Sequence, residues 1–167
     1  MIAAALALAL ATPNGQPSEA QVAAAFTQLK ALVGDWRNAE RPDSALRIRF
    51  SLTAGGTVLV EEWRRGTEPH SLTLYHRDGS RLIATHYCPQ GNQPRLVLAS
   101  SGTKLSFRYR DATDLGAGES HLHDLAFNLT DPAHPVRSET YRSKAGDEPS
   151  TLRLVREPGS ITPAPAR

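Results

Sequence analysis

Ser71-Leu72-Thr73-Leu74-Tyr75-His76-Arg77-Asp78-Gly79-Ser80-Arg81-Leu82-Ile83-Ala84-Thr85-His86-Tyr87-Cys88 is the stretch whose reading decides the fold. Two alternating apolar runs flank Asp78-Gly79, the dipeptide that best suits a tight hairpin turn. Working outward, the same period of two continues in both directions. Downstream, Arg95–Ala99 and Lys104–Arg110 are joined by Ser101-Gly102 as a second hairpin, followed by strands over Ser120–Thr130, Val136–Ser143 and Ser150–Arg156. Upstream, Leu46, Ile48, Phe50 and Leu52 alternate with Arg47, Arg49 and Ser51, and the turn Ala54-Gly55-Gly56 leads into a strand over Thr57–Arg64. Nine strands at regular spacing, joined by short turns with no helix between them, predict an all-β antiparallel meander. At that strand count the expected solution is an up-and-down β-barrel, with a two-sheet sandwich as the alternative. Before the first strand the period is 3.6. Ser18 is a candidate N-cap, and Val22, Ala25, Phe26, Leu29, Leu32 and Val33 recur on one face of an amphipathic helix closed by Gly34.

Composition bounds the function. A chain of 167 residues is one domain with a single core. Its net charge of +2 is too small to point to a nucleic-acid partner, and its arginines are spread singly along strands, as on a solvated outer face. Ile2–Ala11 is a ten-residue apolar run, too short to span a bilayer but matching the apolar region of a signal peptide. No Lys or Arg precedes Lys30, so the charged start of such a signal is missing and a plain Ala-rich helix is the competing reading. One cysteine forms no internal disulfide and leaves the compartment open; export to the periplasm or beyond is the expectation. The Pro-rich tail from Glu157 to Arg167 is expected to be disordered. The predicted organisation is a signal-like or disordered start over 1–17, a barrel domain with its helix over 18–157, and a tail over 158–167.

Leu32-Val33-Gly34-Asp35-Trp36 places Gly-x-Trp where the helix hands over to the first strand. This resembles the motif with which lipocalins and their calycin relatives begin, whose tryptophan plugs one end of the barrel. Gly34-Asp35-Trp36, Leu74-Tyr75-His76-Arg77-Asp78-Gly79, Thr85-His86-Tyr87-Cys88, Gly91-Asn92-Gln93-Pro94-Arg95 and His121-Leu122-His123 follow in that order. Together they resemble a group of bacterial, often exported, lipocalin-like (calycin-type) domains, over about Leu29 to Arg156. The resemblance implies the fold and export, and no chemistry. One departure from its pattern is Glu139-Thr140-Tyr141, where a tryptophan is expected after the acidic residue.

Candidate functional residues come from phasing the strands on their apolar side chains. Leu82 and Ala84 bring His86 and Cys88 inward; Leu72 and Leu74 bring His76; Leu125, Phe127 and Leu129 bring His121 and His123; and one of Glu61 and Glu62 faces in. Burying such groups unpaired costs roughly 2–7 kcal/mol each, so they need one another, water or a ligand. The leading reading is a binding protein that holds a small apolar or amphipathic molecule in the barrel. His86, Cys88, Asn92, Gln93, Arg95, His121 and His123 would then fix its polar head at the mouth. Asn92, Gln93 and Arg95 either grip a carboxylate there or simply cap the turn and pair with an acidic neighbour. The alternative is a metal- or haem-binding protein or a hydrolase-like enzyme working from His86, Cys88, His121 and His123. These residues are nitrogen and sulfur donors of the kind zinc or copper takes, but the glutamate a cupin would add is absent. Haem has only the fold analogy behind it. In the nucleophilic reading Cys88 is activated by His86, about 6–7 Å away along the strand, against which stands a small, half-buried apolar thiol. No cofactor is named by any motif. A third reading is a filled barrel that binds a partner through an exposed apolar patch; packing of the interior by Phe50, Phe107, Tyr109 and Phe127 would leave no room for a guest.

Overall fold

Ser18 starts the first element as its sequence suggests. Its hydroxyl accepts from the Gln21 backbone while the Gln21 side chain accepts from the Ser18 backbone, a reciprocal cap. The computed structural model describes residues 15–160. The helix that follows, α1 (Glu19–Lys30), buries Val22, Ala25, Phe26 and Leu29. Gly34, at φ 131°, turns the chain out of the helix and into the first strand in a conformation that favours glycine.

Ten strands then run β1 (Gly34–Asn38), β2 (Leu46–Thr53), β3 (Val58–Arg65), β4 (Glu68–Asp78), β5 (Arg81–Tyr87), β6 (Gln93–Ser100), β7 (Lys104–Thr113), β8 (His121–Asn128), β9 (Val136–Ser143) and β10 (Gly146–Arg156). Each pairs antiparallel with its sequence neighbours, and β1 pairs with β10, so the sheet closes into an up-and-down barrel without a free edge. The sandwich alternative is thereby removed. The strand missed from the alternation is β1, whose Gly-Asp-Trp-Arg-Asn is too short and polar to show a period.

The turns sort into two ends. Residues 54–57, 79–80, 101–103 and 129–135 lie at one end and residues 39–45, 66–67, 88–92, 114–120 and 144–145 at the other. The helix covers the first end, with Glu19 2.7 Å from Arg77 beside the β4–β5 turn and its buried face joined to Trp36, Leu82 and the rest of the core. Trp36 is fully buried, donates its indole N–H to Leu32 O at 2.6 Å, and carries the Arg156 guanidinium over its ring at 4.2 Å. Inside, Phe50, Tyr75, Phe107 and Phe127 meet edge to face at centroid distances of 5.8–6.4 Å. The apolar half of the interior is therefore filled by side chains, and a guest held deep in the barrel finds its space already taken. Leu52, next to last in β2 at the helix-covered end, is 44% exposed.

The N-terminal signal-like run lies outside the described residues. Of the expected disordered tail, Glu157–Ser160 is described: it folds back so that Glu157 N–H donates to Asp35 O at 2.9 Å and Ser160 Oγ accepts from Asp35 N at 2.7 Å. Among the described residues no helix is long and apolar enough to cross a membrane.

Candidate functional site

Strand register decides which polar side chains enter the barrel. Glu61 on β3, Thr73 on β4 and His86 on β5 stand in one row, since Glu61 pairs with Thr73 and Thr73 with His86. All three are buried. On β4 the inward face is thus Thr73 and Tyr75, which corrects the phase expected from Leu72 and Leu74. Those leucines and His76 lie half-buried on the outer face. On β3 the inward carboxylate is Glu61, in phase with Leu59 and Trp63.

Glu61 is fully buried, and three donors converge on it. Tyr75 O–H donates to Oε2, Trp63 Nε1–H donates to Oε1 at 2.6 Å, and Arg137 Nε lies 2.6 Å from Oε1, close but poorly directed. Arg137 crosses the interior from β9, donates Nη1–H to Glu139 Oε2 at 2.6 Å, and lies 4.7 Å over the Trp63 ring. Its Nη2 has no hydrogen-bond partner among the described residues. Burial opposes the charge on Arg137, but Glu61 and Glu139 outweigh it and hold the guanidinium protonated. Burial likewise opposes ionisation of Glu139, and Arg137 outweighs that in turn, so the carboxyl sits below its usual range.

Beside this ion group runs a hydrogen-bonded line. Thr73 Oγ1 is 2.9 Å from His86 Nδ1, and His86 Nε2 is 3.0 Å from the Tyr141 hydroxyl. The Cys88 thiol stands close enough to that hydroxyl for each to influence the other's ionisation. Burial, with Arg137 nearby, lowers the His86 pKa to about 4, so the imidazole is neutral near pH 7. Burial raises the Cys88 thiol and the Tyr141 phenol, the latter helped by Glu139. A thiol that burial pushes up, despite the lowering pull of the neighbouring Tyr141 phenol, is the opposite of an activated nucleophile.

His121 and His123 do not join this line. The pairing of β8 with β9 slips between Leu122 and Asp124, and the extra residue flips the phase, so that Leu122 is the fully buried side chain. His121 Nδ1 lies 3.0 Å from Glu119 O. His123 Nδ1 lies 3.0 Å from Asp124 Oδ2, and its Nε2 accepts from Arg142 Nη1 at 2.8 Å. Both rings pack on Tyr109, at 5.0 and 5.4 Å. Among the described residues no group of three or more His, Cys, Asp or Glu side chains is placed to hold a metal ion, so the four donors of the alternative reading do not converge.

The amide-rich corner also divides. Asn92 is fully buried in the turn, where its backbone carbonyl accepts from Cys88 N at 3.1 Å and its Nδ2 donates to Ser120 O at 3.0 Å. Pro94, Leu96 and Leu98 face inward, which sends Gln93 and Arg95 to the outer wall. There Gln93 accepts from Thr113 Oγ1 at 2.5 Å, and Arg95 Nε pairs with Asp111 Oδ1 at 2.5 Å. They line a depression of about 360 Å³ on that wall with Tyr87 and Arg110, so they do not reach the mouth.

The open end of the barrel holds a cavity of about 360 Å³ whose walls include Leu46, Trp63, Pro89, His86, Glu139 and Tyr141, with Arg65 and Glu148 also among the lining residues. The residues that sequence reasoning missed, Arg137, Glu139 and Tyr141, all come from β9. That strand carries a readable signal: after Val136, Arg-Ser-Glu-Thr-Tyr-Arg-Ser has no apolar face. A strand of a closed barrel must still send one face inside, so polar groups were bound to enter there. The chain matches no known family model and no curated protein.

Proposed function

We propose that this protein binds a small amphipathic molecule at the open end of the barrel. The observation that carries the reading is the cavity of about 360 Å³, whose floor is His86, Tyr141 and Glu139, braced from within by the buried Glu61–Arg137 pair. A cavity with apolar walls and a few fixed polar groups is the usual form of a ligand site. Leu46, Trp63 and Pro89 supply the apolar wall, and His70, Ser71, Gln90 and Ser120 join Arg65 and Glu148 in a polar one. The filled apolar half supports a guest seated at the mouth over one swallowed by the barrel. In this reading the chain is an exported, lipocalin-like binding protein; the string of motifs from Gly34-Asp35-Trp36 to His121-Leu122-His123 supports the kinship, and Ile2–Ala11 supports export.

Native mass spectrometry on protein purified from the organism that makes it, without chelator and with metal analysis alongside, tests the reading. The expected result is an added organic mass that disappears in Tyr141→Phe and His86→Ala. A bare protein mass together with no spectral change of Trp63 on titration with small amphiphiles would overturn it, and a stoichiometric metal in place of an organic mass would replace it.

A further inference from the structure

We infer that the molecule taken by the mouth cavity is a cation, a protonated amine or amidine carried on a small apolar body. This rests on the mouth-binding reading and adds to it the chemical class of the head group.

Donors and acceptors at the floor are out of balance. The N–H donors at the floor point into the protein. The Trp63 N–H goes to Glu61 and the Arg137 Nη1–H to Glu139. The Tyr141 hydroxyl donates to His86 Nε2 when Nδ1 carries the ring proton. Arg137 Nε and Nη2 have no well-directed acceptor, but they belong to a side chain 1% exposed that lies over the Trp63 ring and does not line the cavity. Acceptors are in surplus. A carboxylate offers roughly four acceptor positions, and Glu139 uses one on Arg137 and one on Ser150.

Charge points the same way. Glu61 and Glu139 face a single buried guanidinium, so the ion group carries one net negative charge, and Glu139 is its member in the cavity wall. At the rim, Arg65 and Glu148 oppose each other in sign, are solvent-exposed and have no ion-pair partner among the described residues. Rim charges are screened by salt, whereas a charge in the floor is screened much less. The floor therefore sets the preference, and it favours a guest that brings both hydrogens and positive charge.

Three probes of matched shape separate the possibilities: 2-phenylethylamine, 2-phenylethanol and phenylacetate, titrated into the full chain near pH 7 while the backbone and indole N–H signals are followed by NMR. The expected result is saturable binding of the amine, at least tenfold tighter than the alcohol, with the Trp63 signal moving and the Trp36 signal still. Phenylacetate should leave both signals unmoved. Glu139→Gln should lower amine affinity about tenfold and leave the alcohol unaffected. Because that change also touches Arg137, Glu148→Lys at the exposed rim serves as a second variant, expected to weaken the amine several-fold only. Equal binding of the alcohol, or tighter binding of phenylacetate, at the same residues would overturn the cationic head and leave the mouth-binding reading standing. No response to any of the three would overturn both.

Discussion

His86 spends both ring nitrogens inside the barrel, and the cost of charging it there sets a pH dependence. Its pKa is about 4 in the fold against 6.5 for the free side chain. Between those values the unfolded chain holds the extra proton, so acid favours unfolding. Stability present at neutral pH should fall as the pH drops from about 6.5 toward 4, by roughly 3 kcal/mol across the window. Urea titrations at a series of pH values check this, and His86→Gln should flatten that slope even though it starts less stable. The pairing of Glu139 with Arg137 acts lower down: its contribution holds above the ordinary carboxylate value of 4.5 and is lost as the pH falls through the depressed value in the fold. Arg137 is the only cation among the buried residues described, and Glu61 depends on it. Arg137→Leu leaves Glu61 buried without its counter-ion and should cost about 3–5 kcal/mol. Adding Glu61→Gln to it should recover much of that loss in a double-mutant cycle; additive losses would mean the two residues are not coupled.

Elements differ in how openly their sequences declare them. The helix declares itself twice, by its apolar spacing and by its cap, and Ser18→Ala should cost about 1 kcal/mol in chemical denaturation, because it removes the acceptor for the Gln21 N–H. The hairpin of β4 and β5 was legible from Asp78-Gly79, and the inward phase of β5 from Leu82 and Ala84. The phase of β4 was not, since Leu72 and Leu74 sit half-buried on the outer wall while a threonine and a tyrosine enter; hydropathy favours the wrong face when the right one is hydrogen-bonded. β8 failed for another reason. Its alternation holds from Phe127 back to Leu125, but one extra residue between Leu122 and Asp124 reverses the faces, and no composition marks such a slip. β9 offered no phase at all. Of the seven residues predicted for the site, His86 and Cys88 stand in the polar line at the mouth, Asn92 braces the turn beside it, and Gln93, Arg95, His121 and His123 are held by other partners.

At the scale of the molecule, the barrel has two unlike halves. Near the helix the interior is aromatic and filled; near the other end it is ionic and opens to solvent. The filled half should behave as an ordinary core. Phe107→Ala, at a fully buried position against Tyr75, should cost about 3–5 kcal/mol and leave a dry apolar void. Such a void takes up small apolar molecules, so the variant, unlike the parent, should be stabilised against heat by benzene. If the parent is stabilised as much, the aromatic half is not filled as described. The even number of strands has a consequence for handling the molecule. Ten antiparallel strands begin and finish at the same end, the one covered by the helix. Any tether, tag or fusion partner attached before β1 or after β10 therefore joins at the plugged end. Held that way, the barrel points its mouth outward, and a guest could come and go without passing the attachment.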